Sequence, residues 1–331
     1  MIKVVQIGVG PLGQKVVRFA NERKGIKIIA AVDPDPEKVG KDLGKIVASR
    51  PLGIKVSQNL NEAIKRKKAD VALLTTVSDL ESLEKQIEKL AKAGLHIVST
   101  CEELSFPWQT KPRIAKRIDR VCREHHISCV GTGVNPGFLM DYLPCVLTSV
   151  CQKVSKIHVM RIQDASIRRI PFQKKIGAGL NRTQFKKKAL SGELRHVGLT
   201  ESVHMIAHCM GWKLDRTTES LKPVIAKRTI TSGFTKIIPG IACGVEQIAR
   251  GFLGKKEVIR LHFKAAVGEK TSHDTIEITG SPSIKSTIPG GVNGDIATCA
   301  IVINAIKAVK NSEPGLKTML DLPAPAFFLG P

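Results

Sequence analysis

The chain has 331 residues, 42% of them hydrophobic and 24% charged, which is long enough for two domains with real cores. Fifty-two Lys and Arg against 29 Asp and Glu give a net charge of +23, but aromatics make up only 4% and no zinc-finger, RRM or KH pattern occurs. A solvated basic surface serving an anionic cofactor or substrate is therefore favoured over nucleic-acid binding, and the lack of a long apolar stretch argues against a membrane span.

The apolar, β-branched run Ile2 to Ile7 reads as the first strand, and its start at residue 2 leaves no room for a signal peptide. Gly8-Val9-Gly10-Pro11-Leu12-Gly13 follows, then a helix-like run over 13–24. A second strand-like run, 26–32, ends at Asp33, twenty residues after Gly13. In that context GxGxxG is the dinucleotide fingerprint. Gly8 permits the tight turn, Gly10 lets the backbone approach a pyrophosphate, and Gly13 lets helix and strand pack closely. Pro11 and Leu12 open the helix whose free N–H groups meet the anion, and Asp33 can accept hydrogen bonds from an adenosine ribose.

Strand-like runs continue at 71–76, 95–100 and 127–131, and helix-like runs at 36–48, 60–67, 80–93 and 110–125. The second helix-like stretch ends in the basic face Lys65-Arg66-Lys67-Lys68. This alternation predicts an α/β architecture, with a Rossmann doubly wound parallel sheet over residues 1–150. Its site should lie beyond the carboxyl ends of the strands. Three such ends are polar or glycine-rich: Thr75-Thr76, Ser99-Thr100-Cys101-Glu102-Glu103, and Gly131 to Gly137. Thr75, Thr76, Thr100 and Asn135 are thus candidate cofactor contacts.

After about residue 150 longer strands are expected at 157–161, 224–231 and 258–267, a shorter one at 274–279, and helices near 183–191, 199–210 and 295–310. They predict a second α+β domain on a mixed sheet, residues 151–299, for substrate binding and homodimerisation. Residues 300–331 are expected to pack back on the first domain.

Further blocks carry a family resemblance: Ser99–Pro107, Asn135–Asp141, Gln163-Asp164-Ala165-Ser166 with Arg168-Arg169, and Gln173–Gly177. His196–Leu199 with Glu201-Ser202, Pro289–Thr298 and Pro314–Leu316 continue it along the chain. Together they resemble the 2,4-diaminopentanoate dehydrogenases and related native amine dehydrogenases, which share the dihydrodipicolinate reductase fold. The resemblance implies NAD(P)-dependent oxidation of a C–NH2 group to an imine, then hydrolysis to ketone and ammonia, reversible as reductive amination.

Within this frame the catalytic glutamate falls in the pair Glu102-Glu103, with Glu102 preferred. Amine oxidation needs a base for the ammonium proton and negative charge near the developing iminium, and a desolvated carboxylate supplies both. Left to the residues alone, both glutamates could equally cap a helix or face water. Arg161, Asp164, Arg168, Arg169 and Lys174 form the candidate substrate cluster, since an Arg fork suits a carboxylate. The alternative for any one of them is solvated surface. His196 is a candidate substrate contact. The 290–295 segment reads as a closing loop, with Asn293 or Thr298 reaching inward.

No metal is expected: His204 and His208 share a helical face with Glu201, but no third ligand stands at diagnostic spacing. The eight cysteines show no CxxC and fall in apolar patterns, which suggests a reducing cytoplasm. Dihydrodipicolinate reduction is disfavoured, because Gln163 to Arg168 lacks that family's His-His pair and Lys-Asp-Ala-Pro-Ser-Gly-Thr signature. Phe138 stands where related semialdehyde dehydrogenases place a nucleophilic Cys, Cys101 lacks an evident base, and Tyr142 has no Lys partner four residues on. Asp33 should favour NAD, with Lys38 and Lys41 letting NADP be accepted. The remaining alternatives are a cyclic-imine or carbonyl reductase and a nucleotide-sensing regulator.

Overall fold

The computed structural model describes residues 1–65 and 68–329, and the chain divides into two units. The first comprises Met1–Phe138 and Asn293–Pro331, and the second Leu139–Val292.

The first unit alternates β1 (Ile2–Ile7), α1 (Pro11–Asn21), β2 (Ile26–Val32), α2 (Leu43–Ile46), β3 (Val56–Ser57), α3 (Leu60–Ile64) and β4 (Val71–Leu74). It continues with α4 (Leu80–Lys92), β5 (His96–Ser99), α5 (Pro107–Thr110), α6 (Pro112–Glu124) and β6 (Ser128–Gly131). The second unit holds α7 (Tyr142–Leu147), β7 (Lys153–Asp164), α8 (Ile170–Lys175), α9 (Arg182–Leu190) and α10 (Leu199–Cys209). After these come β8 (Arg216–Ile225), β9 (Ile230–Thr231), β10 (Lys236–Ile237), β11 (Ala242–Leu253), β12 (Lys256–Ala266), β13 (His273–Ser281) and β14 (Ile284–Pro289). The chain then returns to the first unit as α11 (Gly294–Lys310) and β15 (Gly315–Lys317).

In the first unit seven parallel strands run in the order β15-β6-β5-β4-β1-β2-β3. The order reverses between β1 and β4, so the switch point lies at the ends of those two strands. β4, Val-Ala-Leu-Leu, is buried throughout, as a central parallel strand covered on both faces must be. α4 turns Leu80, Leu83, Ile87 and Leu90 toward the core, and Asp79 caps it by accepting the Ser82 N–H at 2.8 Å.

In the second unit six strands run β14-β13-β7-β12-β11-β8, with β7 and β12 parallel and the other pairs antiparallel. α10, buried at Leu199, Val203, Met205 and Ile206 and exposed at its C-terminal end, packs on β12, β11 and β8.

Several sequence expectations need correction. The helix expected at 36–48 shrinks to α2, because Lys38 and Val39 donate back to Asp35 and Lys41 to Lys38, Gly40 takes φ +80° and donates to Val56, and Asp42 starts the helix as its cap. The one at 110–125 is broken at Pro112, and the stretch expected at 60–67 ends as α3, with positions 66 and 67 outside the described residues. The strand expected at 224–231 lies mostly earlier, as β8. β11 went unseen because its inward residues, Val245, Gln247, Ala249 and Gly251, include little that is large and apolar. Residues 139–150, assigned by sequence to the first domain, fall in the second unit: α7 packs on α10, and Asp141 accepts the Ser202 hydroxyl at 2.8 Å. All of α11 belongs to the first unit, packed on α1 and β5.

Candidate active site

The fingerprint loop leaves β1 at Gly8, whose φ of +85° favours glycine, and a Cβ there would lie 2.8 Å from the Thr75 carbonyl oxygen. A Cβ on Gly13 would lie 2.1 Å from the Gly8 carbonyl oxygen, so helix and strand approach as closely as the fingerprint requires. A Cβ on Gly10 would meet nothing within 4 Å. Gly10 caps α1 without a side-chain hydrogen bond, and Pro11 begins the helix. The open side at Gly10 and the uncapped helix start at Leu12 and Gly13 fit a dinucleotide pyrophosphate.

Two polar side chains hold this loop. Gln6 Nε2 donates to the Gly8 carbonyl and to Thr75 Oγ1, each at 2.8 Å, while Thr75 Oγ1 donates to the Gly8 carbonyl at 2.9 Å. Gln6 is absent from the sequence expectations, although an uncharged polar residue among the apolar residues of β1 was the available signal. Thr76 Oγ1 donates to Gln86 Oε1 at 3.0 Å.

Asp33 is buried and does more than await a ribose. Its Oδ2 accepts the Val9 N–H at 2.6 Å, its Oδ1 accepts the Asp35 N–H at 3.0 Å, and Lys38 Nζ lies 3.3 Å from Oδ2. A carboxylate offers about four acceptor positions, so one is left for a ligand hydroxyl. Burial opposes the charge on Lys38, but Asp35 and Asp33 outweigh it and hold the ammonium above its ordinary pKa. Beyond Lys38 a cavity of about 650 Å³ is lined by Lys41, Lys45 and Lys55 with Glu37 and Asp42.

The glutamate pair forms a single 3-10 turn after β5. Glu103 is buried, and its Oε2 accepts the Leu80 N–H at 3.0 Å, closing the first turn of α4. The half-buried Glu102 has no side-chain hydrogen bond or ion pair among the described residues, and its backbone carbonyl accepts the Ser105 hydroxyl at 2.8 Å. Thr100 precedes this turn, its N–H donated to the Leu74 carbonyl at 3.1 Å. Cys101 donates its thiol to the Ser78 carbonyl, and burial pushes that thiol far above its ordinary range, in keeping with a packing role.

After β6, Thr132 is buried with a hydroxyl that has no partner among the described residues, a polar group the sequence did not single out. The loop continues through the buried Asn135, cis to Pro136, and its Val134 N–H donates to Thr298 Oγ1 at 3.3 Å. Thr298 thus braces this loop from α11. Asn293, expected to reach inward, instead caps α11 by accepting the Asp295 and Ile296 N–H groups at 3.0 and 3.1 Å.

In the second unit the substrate cluster divides. Arg161 is 2% exposed and pairs with Asp274 at 2.7 Å, so it is committed to the interior rather than to a substrate anion. Its Nη2 and Gln163 Nε2 both donate to the Val292 carbonyl, while the Val292 N–H donates to Asp274. Asp164 is likewise committed, accepting from the Ser166 and Gly268 N–H groups at 2.9 and 3.0 Å. Arg168 lies over the Phe172 ring at 4.1 Å, the exposed Lys174 lies 5.4 Å from the Phe234 ring, and Arg169 is exposed. His196 stacks on Phe263 with ring centroids 4.5 Å apart, and Gln247 bonds both its backbone groups.

Residues 138–331 match the family model for the 2,4-diaminopentanoate dehydrogenase C-terminal domain, and residues 2–101 that for the dihydrodipicolinate reductase N-terminus. The chain is 31% identical to a 2,4-diaminopentanoate dehydrogenase of Acetoanaerobium sticklandii, over 99% of this chain and 95% of that protein. It is 23% identical to an amine dehydrogenase of Streptomyces virginiae, over 98% and 96% of the two chains. The amine dehydrogenase structure from Mycobacterium smegmatis superposes with a TM-score of 0.87 at 22% identity, covering 99% of this chain and 98% of that one. The chain belongs to the 2,4-diaminopentanoate dehydrogenase family.

Proposed function

We propose that this chain is an amine dehydrogenase in which Glu102 is the base for oxidative deamination of a small primary amine such as 2,4-diaminopentanoate. The observation that carries the reading is the contrast within the glutamate pair. Glu103 is spent on α4, whereas the Glu102 carboxylate, at the carboxyl end of β5, has no protein partner among the described residues. Bound NAD(P)+ supplies the hydride acceptor. Glu102 removes the ammonium proton, which frees the nitrogen lone pair for the forming C=N bond, and its field favours the cationic iminium. Water then yields ketone and ammonia. Arg168, Arg169 and Lys174 are the cationic groups proposed to meet a substrate carboxylate, and His196 a further substrate contact.

NAD is the proposed preferred cofactor with NADP accepted. Asp33 disfavours a 2′-phosphate, while Lys38, bonded to it, and the neighbouring Lys41 and Lys45 offset that repulsion. Replacing Lys41 and Lys45 together by Ala should raise KM for NADP+ and leave KM for NAD+ nearly unchanged. Equal changes for both cofactors would remove the lysines from this role. Eight free cysteines suit the proposed cytoplasmic setting. Light scattering should report the proposed homodimer.

The test is NAD(P)H formation over a panel of amines at alkaline pH, with alcohols as controls. Turnover with 2,4-diaminopentanoate or small alkyl amines and none with alcohols is expected. Silence on every amine by a chain that still binds NAD(H) would transfer the assignment to a cyclic-imine reductase.

A further inference from the structure

The six-stranded sheet of the second unit has two unlike faces. α10 lies against one of them, where a Cβ on Gly251 would stand 3.1 Å from the Val203 side chain. On that face Val159, Leu261 and Ala249, paired across β7, β12 and β11, are buried. On the opposite face Met160, His262 and Ile248, paired across the same strands, are only half-buried.

Strand pairing sets the residues of this second face in rows. The middle row crosses the sheet from β14 to β8 as Thr287, Thr275, Met160, His262, Ile248 and Ser220, with no Lys, Arg, Asp or Glu in it. On one side of it runs the row Lys285, Glu277, His158, Arg260, Arg250 and Thr218. On the other runs His273, Ile162, Lys264, Glu246 and Lys222. A band without charged side chains between two charged margins has the anatomy of an interface, a drier centre inside a polar rim. Both signs are interspersed in the margins, which suits a copy of the same surface better than a polyanion. The strands are 6 to 12 residues long. Six of them, spaced about 4.8 Å apart, present on the order of 700 Å², near the about 800 Å² per partner of a standard interface.

Resting on the homodimer proposed above, we infer that two copies pair through this face, about a two-fold axis that runs along the strands between β7 and β12. Met160 of one copy then meets His262 of the other, Thr275 meets Ile248, and Thr287 meets Ser220. In the margins Glu277 falls opposite Arg250 and His273 opposite Glu246, each pair occurring twice by symmetry. No like charges oppose each other in these rows, whereas a two-fold axis across the strands would set Arg260 on Lys264. Aligned sheets cross at about 30°, which displaces Glu277 from Arg250 by about 4 Å, within the span of an arginine side chain. Within one chain Glu277 pairs with Lys285 at 2.8 Å and Arg250 with Glu257 at 3.2 Å, so both groups are held on this face.

The test reads assembly and not turnover, so it stands apart from the proposed activity. The full chain is sized by chromatography with light scattering, and circular dichroism checks folding. The wild type should run as a dimer. Arg250→Glu and Glu277→Arg should each raise the dimer dissociation constant about tenfold or more, and combining them should return it to within a few-fold of wild type. Positions 250 and 277 lie three strand spacings apart in one chain, about 14 Å, so recovery reports a contact between copies. Ile248→Lys, in the middle row, should also separate the copies, and it decides alone should either charge reversal lose the folded spectrum. A monomeric wild type would overturn the homodimer and this face together. A dimer that these substitutions do not weaken, or that the combined reversal fails to recover, overturns this face and leaves the homodimer standing.

Discussion

At Glu103 the carboxylate accepts the Leu80 N–H at a helix start, whereas its neighbour Glu102 keeps its oxygens clear of protein partners. Glu103→Ala should therefore act on stability, costing about 1–2 kcal/mol in chemical denaturation, with bound nucleotide unaffected. A loss of turnover with unchanged stability would reverse the roles given to the two glutamates. The glycines divide in a similar way. Gly13→Ala drives a Cβ into the Gly8 backbone and should prevent the loop from forming, whereas Gly10→Ala, in open space, should fold normally and weaken NADH binding. Residue identity alone made the fingerprint legible, because only glycine fits those approaches. It left the glutamates ambiguous, because a carboxylate's role is set by a partner 23 residues away in sequence.

Among elements, the segment entering α11 shows how an interior ion pair displaces a functional expectation. Arg161 of β7 looked like a substrate fork, yet with Asp274 of β13 it bonds both backbone groups of Val292. Asp274→Ala would leave a buried guanidinium uncompensated, and a loss of about 3–5 kcal/mol in denaturant unfolding is expected. A change below 1 kcal/mol would mean that water reaches Arg161. No spacing rule connects positions 161 and 274; strand pairing does, in register Asp274↔Arg161. Strands with large inward residues, such as β1 and β4, were readable from sequence. β11 and the polar edge strand β8 were not, because their inward faces carry small or polar side chains.

Across the whole molecule, burial lowers the pKa of His96, His158 and His204 below the ordinary histidine value. His96 also uses Nδ1 to accept the Ser128 N–H at 3.1 Å, which protonation there would abolish. Below about pH 6.5 the unfolded chain therefore binds more protons than the native one, so stability should rise with pH between about 5 and 7. Denaturant midpoints that are flat or falling across that window would contradict this. The two-unit plan was visible as a change from strand–helix alternation to long strands. Its boundary at Phe138 was not, because α7 is claimed by packing on α10, held by an Asp141–Ser202 bond that spans 61 residues of sequence.

Amine oxidation as proposed rests on Glu102, and the most direct test compares the wild type with Glu102→Gln in two readings taken side by side: NADH binding, and amine-dependent reduction of NAD+. Unchanged binding and turnover lowered by about 10²-fold or more are expected, because the amide keeps the shape but cannot accept the ammonium proton. Turnover within a few-fold of wild type, with binding intact, would contradict it.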